Sequence, residues 1–164
     1  MSKIYLQNPE KTQIQVFETE NQIGASFITW KELTEGEIVK YELEKVKQHK
    51  FFQIETLKKS ILYASLQYKA ITLKASERAQ NNIIASLVVP FEKIKWLDAS
   101  GNVIELSFNE FKEIRNIIAE RTFLCNETAA ILIKQVSTSE KVADIDAINI
   151  EAEFAKINKI IEIA

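Results

Sequence analysis

Apolar and polar residues alternate on both sides of a short polar segment in the second half of the chain. A period of two is typical of half-buried strands, and it predicts strands at residues 91–97 and 103–106. Between them, Gly101 can adopt the positive φ that a short hairpin loop usually requires, and Asp98 and Asn102 can hydrogen-bond their own backbone. The sequence therefore predicts a β-hairpin here.

A long helix is predicted directly after this hairpin. Ser107 is a good N-cap residue, and Glu110, three residues later, completes a capping box for the first turn. From Phe108 to about Lys134, apolar residues recur at spacings of three and four. The predicted apolar face consists of Phe111, Ile114, Ile118, Cys125 and Leu132.

The N-terminal part of the chain predicts a small sheet and a second long helix. Residues 3–7 and 12–17 alternate and flank a turn-forming segment, so we expect a hairpin, to which residues 25–30 could add a third strand. Thr34 and Glu37 form a capping box for a helix that runs from Glu35 towards Lys59. Polar residues interrupt its apolar face, which favours a helix lying along another surface or needing partners.

The middle of the chain predicts a second hairpin and a short helix. Residues 60–73 are expected to form a hairpin or a bent strand. Ser76 is the predicted N-cap of a helix at residues 77–88, which Pro90 ends.

The last part of the chain predicts two further helical segments. Ser137 and Glu140 form another cap-like pair, which predicts the start of a short helix. Residues 149–164 have an apolar stripe at helical spacing. The stripe consists of Ile150, Phe154, Ile157 and Ile161.

These elements predict an α+β fold, with small antiparallel hairpins or sheets, two long helices and shorter capped helices. The length of 164 residues suits one ordinary domain, or a modest domain with an appendage. We divide the chain into N-terminal strands with a Lys/Glu-rich helix at 1–60, an α+β body at 61–148, and an amphipathic helical tail at 149–164.

The charge balance disfavours a nucleic-acid partner. The chain has 21 Lys and Arg against 23 Asp and Glu, a net charge of −2, whereas phosphate binding needs a basic face. No apolar run approaches the roughly 18 residues of a membrane span, and the N-terminal residues are too polar for a signal peptide. We therefore expect neither a nucleic-acid nor a membrane partner, and a cytoplasmic location.

Reactive side chains are scarce. The single histidine, His49, lies in a charged helical segment and is expected to be exposed, while the single cysteine, Cys125, lies on an apolar face. Together they cannot form a structural zinc site, and the acidic residues around Asp144 match no calcium loop. The sequence has no glycine-rich phosphate loop and no nucleophile elbow. We expect no catalytic residues, no cofactor and no metal ion, and a protein that is not an enzyme.

Large apolar side chains are the candidates for contacts with a partner. Phe51 and Phe52 are adjacent on a helix, so at least one ring points away from the main apolar face. Trp96 is either a core residue or an interface anchor, and the tail stripe either packs on the body or forms an assembly surface. The predicted partner-binding residues are Phe51, Phe52, Trp96, Phe154, Ile157 and Ile161.

Six short segments carry a resemblance to a known family. They are Ile28–Thr34, Ser76–Gln80, Trp96–Asn102, Val103–Leu106, Phe108–Arg121 and Ser137–Ile148. In this order they resemble a domain of unknown function found in tail-fibre and tail-fibre-assembly proteins of tailed bacteriophages and prophages. The resemblance covers most of residues 28–148, and Ala70 departs from it, since members of this family usually have glycine in that hairpin.

The resemblance implies a phage tail-associated protein that acts by binding. The first implied function is to assist the folding or trimerisation of a tail fibre, and the alternative is a structural component of the tail, fibre or baseplate. The implied partner is a tail-fibre or other tail protein, in the bacterial host cytoplasm or the virion tail. A homotrimer is also compatible, because fibres in this setting are trimers. A small enzyme or a nucleic-acid factor is a third hypothesis.

Overall fold

The structure is a computed structural model that describes residues 3–24, 27 and 29–163, with residue 21 and residues 158–163 described by their backbone only. Helices are combined with small antiparallel sheets, so the predicted α+β class is confirmed. The chain divides into two compact units, Met1–Gln48 and His49–Ala164.

The first unit contains a three-stranded antiparallel sheet. Strand β1 (Ile4–Gln7) lies between β2 (Ile14–Phe17) and β3 (Lys31–Glu32), and a short 3-10 helix, Glu20–Gln22, follows β2. The predicted N-terminal hairpin is therefore confirmed. The core side chains of the first unit are Tyr5, Leu6, Phe17 and Leu33.

The third strand lies later than residues 25–30, where it was predicted; residues 25, 26 and 28 fall outside the described residues. The Trp30 backbone N–H donates to the Phe27 carbonyl at 2.9 Å and closes a turn. The Phe27 ring meets the Trp30 ring edge to face at 4.7 Å. This turn lies immediately before the third strand, so the strand pairs with β1 only from Lys31 onwards.

Helix α1 (Glu35–Leu62) begins at the predicted capping box. The Thr34 backbone N–H donates to Glu37 Oε2 at 2.8 Å, and the Glu37 N–H donates to Thr34 Oγ1 at 3.4 Å. The Tyr5 hydroxyl donates to Glu42 Oε1 at 2.6 Å, which ties β1 to the first part of α1 and is the main reason that the pKa of Tyr5 is raised.

The second unit contains two antiparallel hairpins. Strand β4 (Leu66–Tyr68) pairs with β5 (Ile71–Leu73), and β6 (Lys93–Leu97) pairs with β7 (Val103–Ser107). The Ala99 backbone N–H donates to the Thr72 carbonyl at 2.8 Å and links the two hairpins. The first hairpin is shorter than residues 60–73 because α1 continues to Leu62.

The helices of this unit are α2 (Glu77–Ser86), α3 (Phe108–Thr138), α4 (Val142–Asp146) and α5 (Ile150–Ile163). The predicted caps of α2 and α3 are confirmed. Ser76 Oγ accepts the backbone N–H of Ala79, and Ser107 and Glu110 form a reciprocal capping box.

The predicted helix start at Ser137 is wrong. Ser137 lies inside α3, and its hydroxyl donates to the Lys134 carbonyl at 2.8 Å instead of capping the next helix. The short helix itself exists, but it begins at Val142 and Lys141 provides no side-chain cap. A serine near a helix end can satisfy its hydroxyl by back-bonding to the preceding turn, and this competes with capping.

The core of the second unit lies where α2, α3 and the two hairpins meet. The α3 face predicted from the sequence is buried, including Cys125. The central cluster consists of Leu66, Tyr68, Leu73, Ala75, Ile83, Leu106, Phe111, Ile114 and Ile118.

Candidate protein-binding surfaces

A mostly apolar groove lies between α1 and the first turn of α5. We refer to it as the α1–α5 groove; its volume is about 350 Å³. Apolar side chains from both helices line it together with polar groups. The lining residues are His49, Phe52, Gln53, Thr56, Leu57, Ser60, Ile150 and Glu151.

The two adjacent phenylalanines predicted as partner contacts have different environments. Ile54 is fully buried and marks the inner face of α1. Phe51 lies three residues before it, close to the same face, and is half-buried. Phe52 lies two residues before it, about 200° around the helix, and its side chain is 70% exposed. Phe52 is thus the ring available to a partner, and it lines the groove.

The other wall of the groove is fixed by a helix cap. The Asn149 side chain accepts the backbone N–H of Ala152 at 2.9 Å, which is the usual N-cap interaction. This bond fixes the first turn of α5, whose Ile150 and Glu151 line the groove. Ile150 itself is buried, so it forms the floor of the groove and not its rim.

His49 is exposed, as the sequence predicts. Its Nε2 atom lies 3.1 Å from the side-chain nitrogen of Gln53, one helical turn later. A histidine that acts as a general base is usually oriented by a carboxylate. A neutral amide supplies no such charge, so this contact is typical of a solvated helix face.

The first three residues of the tail stripe, Ile150, Phe154 and Ile157, are buried within the chain itself. Phe154 is fully buried and Ile157 is 2% exposed, and α5 packs along α3. Of the two interpretations that the sequence leaves open, packing on the body therefore holds for these two residues, and neither is accessible to a partner. Their assignment as partner-binding residues is corrected accordingly. The side chain of Ile161 lies outside the described residues.

Trp96 lies against the core of the second unit. The ring is half-buried and meets the Phe111 ring edge to face at 5.2 Å. Its neighbours on the inner face of the hairpin, Ile94 and Ile104, pack on the same cluster. The core interpretation of Trp96 therefore fits its position, and the indole anchors β6 to α3.

Several large apolar side chains outside the groove are exposed. Val88, just after α2, is 80% exposed, while Phe123 and Ile131 on α3 are 64% and 53% exposed. The sequence reasoning missed the α3 pair because the dominant apolar stripe of this helix is the buried one. Phe123 and Ile131 lie on the side of α3 opposite the buried stripe, and this second apolar pattern is visible in the sequence.

Arg121 is the charged residue that sequence reasoning missed. It is only 5% exposed, and its Nη1 atom donates to the carbonyls of Ala64 at 2.7 Å and Ile61 at 3.4 Å. These carbonyls lie at the end of α1, where unpaired C=O groups and the helix dipole favour a cation. Burial lowers the pKa of the guanidinium. One signal was present: Arg121 interrupts the apolar face between Ile118 and Cys125.

Cys125 lies one turn after Arg121 on the same face of α3. The thiol is fully buried, and this burial raises its pKa. Since the thiolate is the reactive form, the position is typical of a cysteine that acts as a small core residue.

A polar cluster connects the first hairpin to the start of α3. The Tyr68 hydroxyl donates to the Glu113 carboxylate, and Lys69 Nζ lies 3.0 Å from Glu110 Oε1. The capping bond from the Ser107 backbone N–H is the main reason that the pKa of Glu110 is lowered to about 2, with Lys69 contributing next. The cluster ties the first hairpin to the start of α3.

Within the described residues, no group of three or more His, Cys, Asp or Glu side chains could hold a metal ion. No helix in the described residues has an apolar segment long enough to span a membrane.

Comparisons with known proteins give no further assignment. No protein-family model, no curated protein and no solved structure matches this chain. The resemblance of residues 28–148 to the phage tail domain therefore stays a prediction.

Proposed function

We propose that this chain acts by binding another protein, and that the partner is a tail-fibre or other tail protein of a tailed bacteriophage, which it helps to fold or assemble. The observation that carries the proposal is the α1–α5 groove, with the exposed Phe52 on its wall. Apolar grooves between helices accept apolar side chains or an amphipathic helix of a partner. The kind of partner comes from the resemblance alone.

The same proposal assigns no catalytic step to the chain. Its one thiol is buried with a raised pKa, and its one imidazole contacts an amide. Burial raises the pKa of Cys125 despite the nearby charges of Arg121 and Lys58, whereas an activated cysteine has a lowered pKa. The two placements are therefore typical of a core thiol and a surface imidazole.

The assembly function is tested by co-expression with the tail-fibre protein encoded nearest to this chain. We expect the wild-type chain to raise the yield of soluble, detergent-resistant fibre trimer. Phe52→Ser should remove most of this gain, because it deletes the exposed ring of the groove. Val88→Ser is the matched control, since Val88 is still more exposed but lies outside the groove. An unchanged fibre yield with the wild-type chain would contradict the assembly function.

Mass spectrometry of purified particles distinguishes the alternative function, a structural component of the tail, from the assembly function. A structural component is present in a fixed ratio to the other tail proteins, whereas an assembly chaperone is absent from finished particles. Presence at fixed copy number, together with an unchanged fibre yield, would favour the structural role.

A further inference from the structure

The side of α3 that faces away from the core carries a second pattern. Five exposed side chains follow one another at spacings of three and four, and we call them the α3 outer stripe. They are Glu120, Phe123, Glu127, Ile131 and Lys134. At 3.6 residues per turn they fall within an arc of about 80° on the helix surface. The buried face of α3 lies on the opposite side of the helix.

The stripe has a mirror arrangement about Glu127. Phe123 lies four residues before this position and Ile131 four residues after it, while Glu120 and Lys134 lie seven residues before and after. A large apolar side chain is therefore matched by a large apolar side chain, and a negative charge by a positive one. Within the described residues, neither Glu120 nor Lys134 takes part in an ion pair.

We propose that the α3 outer stripe binds the same stripe of a second copy of this chain, with the two helices antiparallel and crossing at Glu127. In this arrangement Phe123 of each copy packs against Ile131 of the other. Glu120 of each copy lies opposite Lys134 of the other, so two opposite-charge pairs flank the apolar contacts. Charge complementarity between two copies is the argument for this occupant.

Parallel pairing is disfavoured by the same residues. In a parallel pair, or around a threefold axis parallel to α3, each position lies opposite itself, so Glu120, Glu127 and Lys134 all face a like charge. Only the antiparallel pair converts two of these contacts into attractions. The remaining contact, between the two Glu127 side chains at the crossing point, opposes association. This repulsion makes the affinity of the dimer lower than the apolar contacts alone would make it.

Charge reversal tests the pairing. Sedimentation of the full chain over a wide concentration range should show a monomer–dimer equilibrium. Glu120→Lys should raise the dimer dissociation constant several-fold, and adding Lys134→Glu in the same chain should restore it, because the exchanged charges again face each other. Glu127→Gln should strengthen the dimer. Arg115→Glu, an exposed change on α3 away from the stripe, is the matched control and should have little effect.

Phe123→Ser should weaken the dimer roughly tenfold or more, as the removal of a central aromatic anchor usually does. Ile84→Ser on α2 is the control for this change, because Ile84 is similarly exposed but lies on another helix. All these side chains are exposed in the chain, so circular dichroism of each variant should match that of the wild type.

Cross-linking tests the direction of the helices. In a Cys125→Ala background, Glu127→Cys should form an intermolecular disulfide on mild oxidation, since position 127 meets itself at the crossing point. Asn116→Cys should not, because eleven residues from the crossing point place the two copies about 33 Å apart, beyond the reach of a disulfide.

Three results would overturn the proposal. They are a monomer at every concentration, a trimer, or efficient cross-linking of Asn116→Cys, which requires parallel helices. None of these results bears on the α1–α5 groove, so the two proposals are tested separately.

Discussion

Arg121 is a buried cation that contacts the end of a helix distant in sequence. A buried guanidinium is costly to desolvate, and here carbonyl oxygens at the end of α1 offset that cost. The hydrogen bonds join residues that are about 60 positions apart in sequence. The bond pattern therefore fixes the end of α1 against the middle of α3.

We expect Arg121→Ala to lower the free energy of unfolding by about 2–3 kcal/mol, since it removes the hydrogen bond to the Ala64 carbonyl and leaves a cavity where the buried side chain lay. Urea unfolding followed by circular dichroism measures this loss. Arg115→Ala, an exposed arginine on the same helix, should cost well under about 0.5 kcal/mol. Equal effects of the two substitutions would contradict the capping role of Arg121.

Glu110 makes stability depend on pH in the acid range. Its pKa is about 2 in the folded chain, below the ordinary value of 4.5. A lowered pKa means that the ionised form stabilises the fold, so the contribution is complete above about pH 4.5 and is lost as the pH falls towards 2. Glu110→Gln should therefore be less stable than wild type at neutral pH, and the difference should shrink below pH 4.5.

Thermal unfolding of both proteins from neutral to acid pH measures this difference. Glu105→Gln is the control, because the Glu105 carboxylate is exposed and takes part in no capping box. A gap between wild type and Glu110→Gln that is constant with pH would contradict the assignment.

At the scale of elements, the starts of helices were predicted better than their ends. The capping boxes at Thr34 and Ser107 and the cap at Ser76 are local hydrogen bonds, formed by residues three positions apart. The ends of the helices were predicted less accurately. Helix α1 continues to Leu62 and α3 to Thr138, beyond the predicted ends near Lys59 and Lys134. The end of α1 is held by Arg121 and by Gln80, whose side-chain nitrogen donates to the Leu62 carbonyl at 2.8 Å, and no pattern local to α1 contains either residue.

Two glycines should respond oppositely to alanine. Gly101, in the β6–β7 loop, has φ +88°, which an L side chain rarely adopts, so Gly101→Ala should destabilise by about 1–2 kcal/mol. Gly36, in the first turn of α1, has open space around it, and Gly36→Ala should stabilise by about 0.5–1 kcal/mol. Urea unfolding of both variants measures the two signs, and a stabilising Gly101→Ala would refute the turn assignment.

At the scale of the whole molecule, α5 decides what the chain leaves exposed. Its apolar stripe covers α3 through Phe154 and Ile157, and its first turn completes the α1–α5 groove. The surface proposed for partner binding therefore exists only when α5 is packed.

We expect Phe154→Ala to cost about 3–5 kcal/mol of unfolding free energy, because the ring is fully buried and the substitution leaves a cavity. Phe52→Ala, the same change at a 70% exposed position, should cost less than about 1 kcal/mol. Urea unfolding compares the two. If Phe154→Ala were as mild as Phe52→Ala, the packing of α5 on α3 would be wrong.

The sequence by itself determined the hairpins, the capped helix starts and the buried face of α3. Each of these depends on residues a few positions apart, through side-chain periodicity, turn geometry or a local hydrogen bond. Only the tertiary structure decided that Phe154 and Ile157 turn inward, that Phe52 remains accessible beside Ile150, and that Arg121 is buried. These outcomes depend on which distant segments meet, and an apolar stripe looks the same in sequence whether its own chain or another one covers it.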